Sequence, residues 1–341
     1  MSPKIAVLGT GANGSCTAAD LERTGHDVVM IDQWAAHIET VRADGLRIRM
    51  PDEEVHVHPR AYHLSDVCTM NETYDVVFLM PKAYDTCWMC EFIRPHLAED
   101  GLLIGIQNAM MADDIAEIVG PGRTLGCVVE LSSEIFEPGT VQRNTPPAKT
   151  WFGVGHLSEA TRGREQEIVD LLQHVGKVSV SDDIISSKWM KLVVNTMCLG
   201  PLAMLGLTLY EGVKLPGMRE FLMATGTEAL ALGQQRGHTI QPIFGLSDDD
   251  MKDTNRLLEK MFDKLAKDIG PAARDCVLQD HLKGRYSEVD LINGLVAEES
   301  AERGIPAPYN KVIVDITRRI ESGELKPDPS NLDLARQMLA G

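Results

Sequence analysis

Gly9-Thr-Gly11-Ala12-Asn13-Gly14 follows the apolar run Lys4–Leu8, and a second apolar run, Asp27–Asp32, ends on a carboxylate. Strand, glycine turn and strand in this order form the outline of a dinucleotide-binding unit. Gly9 permits a tight turn, Gly11 lets the backbone approach a pyrophosphate, and Gly14 lets the following helix pack closely on its sheet. The helix start at Ala12 and Asn13 offers N–H groups and a positive dipole end to phosphate oxygens. Asp32 stands 18 residues after Gly14, where an acid can accept hydrogen bonds from adenosine ribose hydroxyls. A glycine turn of another α/β protein is the competing reading, and the strands on both sides with the placed acid argue against it.

A second set of residues could move a proton. Lys191 and Asn195 stand four apart with Leu-Val-Val between them, so on a helix they share a face. A lysine and an amide entering an apolar cleft are candidates for polarising a carbonyl and holding a substrate. The alternative is that Lys191 reaches solvent beside Trp189. Further on, Ser287-Glu288-Val-Asp290-Leu-Ile-Asn293-Gly294 places Ser287 as a helix cap, with Glu288 in the first turn. Glu288 could be a site residue or a complement to the helix dipole. Asn293-Gly294 weakens that helix unless packing or a ligand requires it.

Other chemistry-bearing pairs read as structural. Cys87 and Cys90 have the spacing of a redox or zinc pair, but no second pair matches it, so two packed thiols on one helix face are expected. His56 and His58 alternate along a strand and lack ligand partners at clear spacing. No metal site is expected. The net charge of −17 argues against a nucleic-acid or anionic-membrane surface. Seven scattered cysteines, with only Met1-Ser-Pro before the Lys4–Leu8 run, point to reduced thiols in a cytoplasm without a signal peptide. The most apolar stretch, 192–210, is interrupted by Asn195, Thr196, Gly200, Pro201 and Thr208, which fits a buried helix pair rather than a membrane span.

These residues need elements to hold them. Up to 181 the patterning alternates strand and helix, with buried strands at 74–80 and 102–106, further strands at 124–131, 139–143, 149–154 and 177–181, and a helix at 158–174. That predicts a doubly wound, mainly parallel sheet. From 184 to 319 helical periodicity dominates, broken at Gly200-Pro201, Pro216-Gly217, the 237–247 loop, Gly270-Pro271 and 304–306. The expected fold is α/β, with an N-terminal Rossmann-type doubly wound parallel sheet over 1–182 and an all-helical domain over 183–341. A hydride-transfer enzyme with its cleft between the two is the expectation for such a pairing.

The chain resembles the 2-dehydropantoate 2-reductase (ketopantoate reductase) family. The resemblance rests on Gly9 to Gly14, Lys82-Ala83, Ile106-Gln-Asn108, Trp189-Met-Lys191-Leu-Val-Val-Asn195, Pro201-Leu202, and Leu278-Gln-Asp280 leading to Ser287-Glu288-Val-Asp290-Leu-Ile-Asn293-Gly294. It implies that Lys191 is the general acid/base and that Glu288 holds or orients substrate. It also implies that Asn195 contacts substrate, that Asn108 binds cofactor and helps close the site, and that Lys82 lies near the cofactor. An ammonium beside a 2-oxo acid's carbonyl oxygen would stabilise the developing alkoxide and protonate it.

The departures shape the expectation. Family members pair an arginine after the second strand with the 2′-phosphate of NADPH; here Asp32-Gln33 stands there, which favours NAD, with NADP the alternative. The family's second asparagine is Leu199, its substrate-holding serine aligns with Cys276, and its threonine after Pro201-Leu202 is Ala203. Three less polar positions imply a small 2-oxo or 2-hydroxy acid with an apolar side chain, and the NAD preference points to its oxidation by a dehydrogenase of a degradative route. Ketopantoate reduction is the alternative. A non-catalytic dinucleotide sensor is a remote one, requiring that Lys191, Asn195 and Glu288 need not converge. A homodimer is possible from the apolar stripes of the helical part.

Overall fold

The computed structural model describes residues 2–251 and 256–341. The chain divides into two compact units. One comprises residues up to Gln107 together with Met111–Ile185; the other comprises Asn108–Met110 with Ser186–Gly341.

The first unit carries twelve strands: β1 Lys4–Leu8, β2 Asp27–Asp32, β3 Leu46–Arg49, β4 Glu54–Val57, β5 Arg60–His63, β6 Tyr74–Leu79, β7 Leu97–Gly105, β8 Thr124–Glu130, β9 Ser133–Glu137, β10 Thr140–Arg143, β11 Trp151–His156 and β12 Lys177–Val180. Eight of them form one sheet in the order β12-β11-β8-β7-β6-β1-β2-β5. All its pairings are parallel except β11 against β8. Read from β5, the members run 3-2-1-4-5-6 and then two more, the doubly wound order with its switch point at β1. Along β1, Ile5 and Val7 enter one core and Ala6 and Leu8 the other. A strand covered on both faces must be apolar at every position, which is why it was readable as an unbroken run.

The remaining four strands form a separate sheet, β4-β3-β10-β9, and the helix Ala12–Arg23 touches strands of both sheets. The sequence patterning did not separate the two sheets and passed over β5 and β9. Both are short, and β5 reads Arg-Ala-Tyr-His, with no apolar run to mark it. The helix expected at 158–174 is a 3₁₀ turn, Glu159–Thr161, followed by a helix, Glu165–Leu172. Gly163 between them adopts φ 88°, a left-handed conformation that ends one element and starts the next.

The second unit is helical. Its main elements include Ile184–Cys198, Met218–Gln235, Leu257–Ile269, Cys276–Leu282, Leu295–Glu302, Pro308–Glu321 and Asn331–Ala340. Trp189 is buried here and donates from Nε1 to the Ala229 carbonyl. A Cβ at Gly233 would run into its indole, so that glycine makes room for the ring. No helix among the described residues is long and apolar enough to cross a membrane.

Candidate functional site

Two constellations stand out, one in each unit. In the first, Gly9 takes φ 86°, and a Cβ there would strike the Pro81 backbone. A Cβ on Gly14 would strike the Gly9 carbonyl. At Gly11 an added Cβ would meet nothing within 4 Å, so bare backbone is presented to an incoming group. The helix begins at Ala12 with Gly11 as its N-cap and no side chain capping it. Its first-turn amides, those of Ala12, Asn13 and Gly14, are therefore not claimed by a capping residue. Asn13 is fixed from its side chain, whose Oδ1 accepts from Ser133 Oγ at 2.6 Å. These features fit a pyrophosphate.

Asp32 ends β2, and only 7% of it is exposed. Its Oδ1 accepts from the Trp34 amide at 2.7 Å, and its Oδ2 accepts from Thr10 Oγ1 at 3.4 Å. Burial pushes its carboxyl above the ordinary range, while hydrogen bonds from Trp34, Thr10 and Gln33 pull it back. Each oxygen keeps lone-pair capacity for a ribose hydroxyl. The next residue, Gln33, donates from Nε2 to Asp85 Oδ2, and Trp88 Nε1 donates to Asp85 Oδ1. Lys82 sits half-buried at the start of the 3₁₀ turn Ala83–Asp85, its carbonyl accepting from the Asp85 amide.

In the second unit, Lys191 and Asn195 lie one turn apart on the helix Ile184–Cys198. Asn195 is buried and donates from Nδ2 to Asn108 Oδ1 at 3.0 Å. Asn108 Nδ2 in turn donates to Glu288 Oε2 at 3.2 Å and to Cys276 Sγ at 3.5 Å. The Cys276 thiol points to the same Glu288 oxygen at 3.6 Å. Glu288 itself is 3% exposed. It is thus bound into a polar cluster rather than merely complementing a helix dipole. Asn108, Asn195, Cys276 and Glu288 come from four chain segments and meet in one hydrogen-bonded group.

The segment around Glu288 departs from a plain helix. Ser287 Oγ accepts from the Val289 amide at 3.4 Å and donates to Glu321, and residues Asp290–Gly294 make a π-helical turn. Asn293 Nδ2 donates to the Thr196 carbonyl and to Asn310 Oδ1. It thereby ties the turn to the Lys191-bearing helix and to the helix Pro308–Glu321. This answers the cost of Asn293-Gly294 inside a helix: buried polar packing requires the asparagine.

The cation over the Trp189 ring is Arg236, not Lys191. The Lys191 Nζ sits 4.9 Å from the centroid of the Phe244 ring. Three positions that are less polar than the family pattern, Leu199, Ala203 and Cys276, join one apolar cluster with Val277 and Leu278.

Sequence reasoning missed several residues. Ala109, directly after Asn108, and Phe244, against Lys191, are the two non-glycine residues with positive φ among the described ones, at 64° and 60°. Composition carries no signal for such a conformation. His37, also passed over, is wholly buried between Ser15 Oγ and the Gly139 amide. Of the cysteine pair, Cys90 is buried, with its thiol pushed up to about 12 by burial, whereas Cys87 is exposed; the two are not packed together inside the protein. His56 and His58 are exposed neighbours, their rings 4.7 Å apart. Among the described residues no group of three or more His, Cys, Asp or Glu could hold a metal ion.

Known proteins match most of this chain. A family model described as ketopantoate reductase PanE/ApbA matches residues 5–156, and the model of that family's C-terminal part matches 183–321. The 2-dehydropantoate 2-reductase of Archaeoglobus fulgidus is 24% identical over 325 residues, covering 94% of this chain and 98% of the relative. That of Mesorhizobium japonicum is 27% identical over 340 residues, covering 93% and 97%. Among solved structures, D-mandelate dehydrogenase with NADH and anilino(oxo)acetate superposes with a TM-score of 0.84 at 20% identity, over 94% of this chain and 98% of that one. A PanE/ApbA family ketopantoate reductase from Ralstonia eutropha JMP134 gives 0.77 at 24%, over 94% and 99%.

Proposed function

This chain belongs to the ketopantoate reductase family of NAD(P)-dependent oxidoreductases acting on CH–OH groups, and on that footing we propose that it interconverts a small 2-hydroxy acid and its 2-oxo acid, with Lys191 as general acid/base and NAD as the preferred cofactor. The observation that carries the reading is the bonded series Asn195–Asn108–Glu288, with Lys191 one turn from Asn195 on the same helix.

The nicotinamide, when bound, supplies or takes the hydride. Lys191, as the ammonium, gives a proton to the carbonyl oxygen in reduction; in oxidation the neutral amine takes the hydroxyl proton. Glu288, an acceptor when ionised, orients the substrate hydroxyl, while Asn108 and Cys276 fix its Oε2. Asn195 holds Asn108 and contacts the substrate. Gly9, Gly11, Ala12, Asn13 and Gly14 receive the pyrophosphate, Asp32 the ribose diol, and Lys82 lies near the cofactor. A 2′-phosphate would meet the carboxylates of Asp32 and of Asp85, which Gln33 contacts, and that repulsion supports NAD over NADP. A preference for NAD favours the oxidative direction.

The apolar cluster at Leu199, Ala203 and Cys276 supports a substrate with an apolar substituent. Sites discriminate strongly on whether a substrate hydroxyl finds a buried polar partner. The deciding experiment is an initial-rate panel of 2-hydroxy and 2-oxo acids, ketopantoate included, with NAD(H) and NADP(H). We expect an apolar acid and NAD to give the highest kcat/KM. In Lys191→Ala, kcat should fall by about 100- to 10,000-fold. Wild-type turnover in that variant would end the role given to Lys191, and equal use of the two cofactors would end the NAD reading. The names of the curated relatives favour a second reading, reduction of ketopantoate itself; ketopantoate outpacing every apolar acid would decide for it.

A further inference from the structure

Phe244 occupies a turn that does not suit it. In Ile243-Phe244-Gly245-Leu246 the Leu246 amide bonds the Ile243 carbonyl, and the two central residues have φ 60° and 71°. Both central residues are left-handed, as in a type I′ turn, whose first central position normally holds Asn, Asp or Gly. A bulky aromatic residue at positive φ is a backbone outlier. Its ring is nevertheless buried, 3% exposed, and faces the Lys191 ammonium at 4.9 Å. The other non-glycine outlier among the described residues, Ala109, follows Asn108 in the same unit. Backbone strain persists only where surrounding structure holds it, and it gathers at functional sites.

We propose that Phe244 is a positioning residue for Lys191: its ring face holds the ammonium in place. The inference rests on Lys191 being the acid/base. An aromatic face attracts a cation through its quadrupole, yet it has no lone pair that can take the proton. A carboxylate in the same place would compete with the substrate oxygen for that proton; a ring orients the acid without accepting from it. The benefit should appear when the proton moves, so it belongs to kcat rather than to substrate binding.

The test uses the full-length enzyme with the best substrate from the rate panel. Phe244→Leu keeps an apolar side chain but removes the π face; kcat should fall about tenfold with KM within twofold, and Phe244→Tyr should restore most of the loss. In a double-mutant cycle, Phe244→Leu should cost nothing further once Lys191 is alanine, because the ring acts through that amine. An equal fall in both backgrounds would mean general packing and would overturn the proposal. So would a Phe244→Leu variant with unchanged kcat while Lys191→Ala is inactive. If Lys191→Ala itself kept full turnover, the acid/base reading would fail first, and the two failures are thereby distinguished.

Discussion

Two buried polar clusters in this molecule use similar residue types to opposite ends. In the first unit, Arg143 is completely buried and its donors are taken up within the protein: Nη1 donates to Asp20 Oδ2 at 2.5 Å, Nε to the Thr145 carbonyl, and Nη2 to Thr150 Oγ1 and the Val175 carbonyl. Burial raises the Asp20 carboxyl and the Arg143 charge pulls it back. This cluster pins β10 to the helix Ala12–Arg23 and has no outlying backbone beside it. In the second unit, Glu288 is also buried; its neighbours include the Asn108 amide and the Cys276 thiol, and Ala109, a non-glycine residue at positive φ, directly follows Asn108. A charge matched by a cation inside the protein fastens the fold. A carboxylate gathered with amides and a thiol from separate chain segments, beside backbone that is not relaxed, is suited to receive a ligand. Residue type alone does not separate the two; the chemistry of the partners and the state of the backbone do.

The comparison can be broken at the fastening cluster, where the largest effect on stability is expected. Asp20→Asn changes almost no volume but leaves the Arg143 charge unmatched. Losing one partner of a buried ion pair costs about 3–5 kcal/mol, visible as a lower urea midpoint. The double replacement Asp20→Leu/Arg143→Met should recover much of that loss, since apolar pairs often replace buried ion pairs without penalty. Turnover per folded molecule should stay near wild type in both variants. A large fall in kcat with unchanged stability would place Asp20 and Arg143 with the chemistry and remove the contrast.

A smaller effect is expected at His37, also in the first unit. The Gly139 amide donates to its Nδ1, so the ring proton sits on Nε2 and is directed to Ser15 Oγ, which in turn donates to the Thr10 carbonyl in the glycine loop. Burial drives the imidazole down to about 4, against a smaller opposing pull from the Thr10 backbone. An unfolded histidine titrates near 6.5. The folded protein therefore refuses a proton that the unfolded chain accepts. The stabilisation is complete above about pH 6.5 and is lost as pH falls toward 4, by roughly 3 kcal/mol for the full span. Urea midpoints at pH 7.5 and 5 should fall more in the wild type than in His37→Gln. Equal falls would show that His37 does not titrate in this way and that the support beneath the glycine loop is no pH-sensitive fastening.

What could be read from the sequence follows the same division. The glycine loop was legible because glycine is required there by the local backbone: Gly9 for its φ and Gly14 for its close approach to the Gly9 carbonyl. The Lys191–Asn195 pair was legible because helical period alone puts both on one face. The link from Asn195 through Asn108 to Glu288 joins positions up to 180 residues apart, and only the family resemblance brought those residues together in advance. The strained turn at Phe244 and the network at His37 left no trace, since tertiary contacts, rather than local propensity, hold them in place. The strand β5 was hidden for a related reason: its place beside β2 is set by the sheet, while its four residues carry little strand pattern of their own.

The smallest expected effect tests the second cluster from its apolar side. Cys276 touches the Asn108–Glu288 pair and also packs with Leu199, Ala203, Val277 and Leu278. Cys276→Ser changes its size little and puts a hydroxyl where polar and apolar surroundings meet. A new hydrogen bond to a hydroxylated substrate is worth about 1 kcal/mol net. The ratio of kcat/KM for a hydroxyl-bearing 2-oxo acid over an aliphatic one of similar length should therefore rise by roughly fivefold to tenfold. If this position holds the substrate rather than moving its proton, most of that change should appear in KM. If the ratio stays put while both rates fall together, Cys276 only supports Glu288, and the apolar cluster does not choose the substrate.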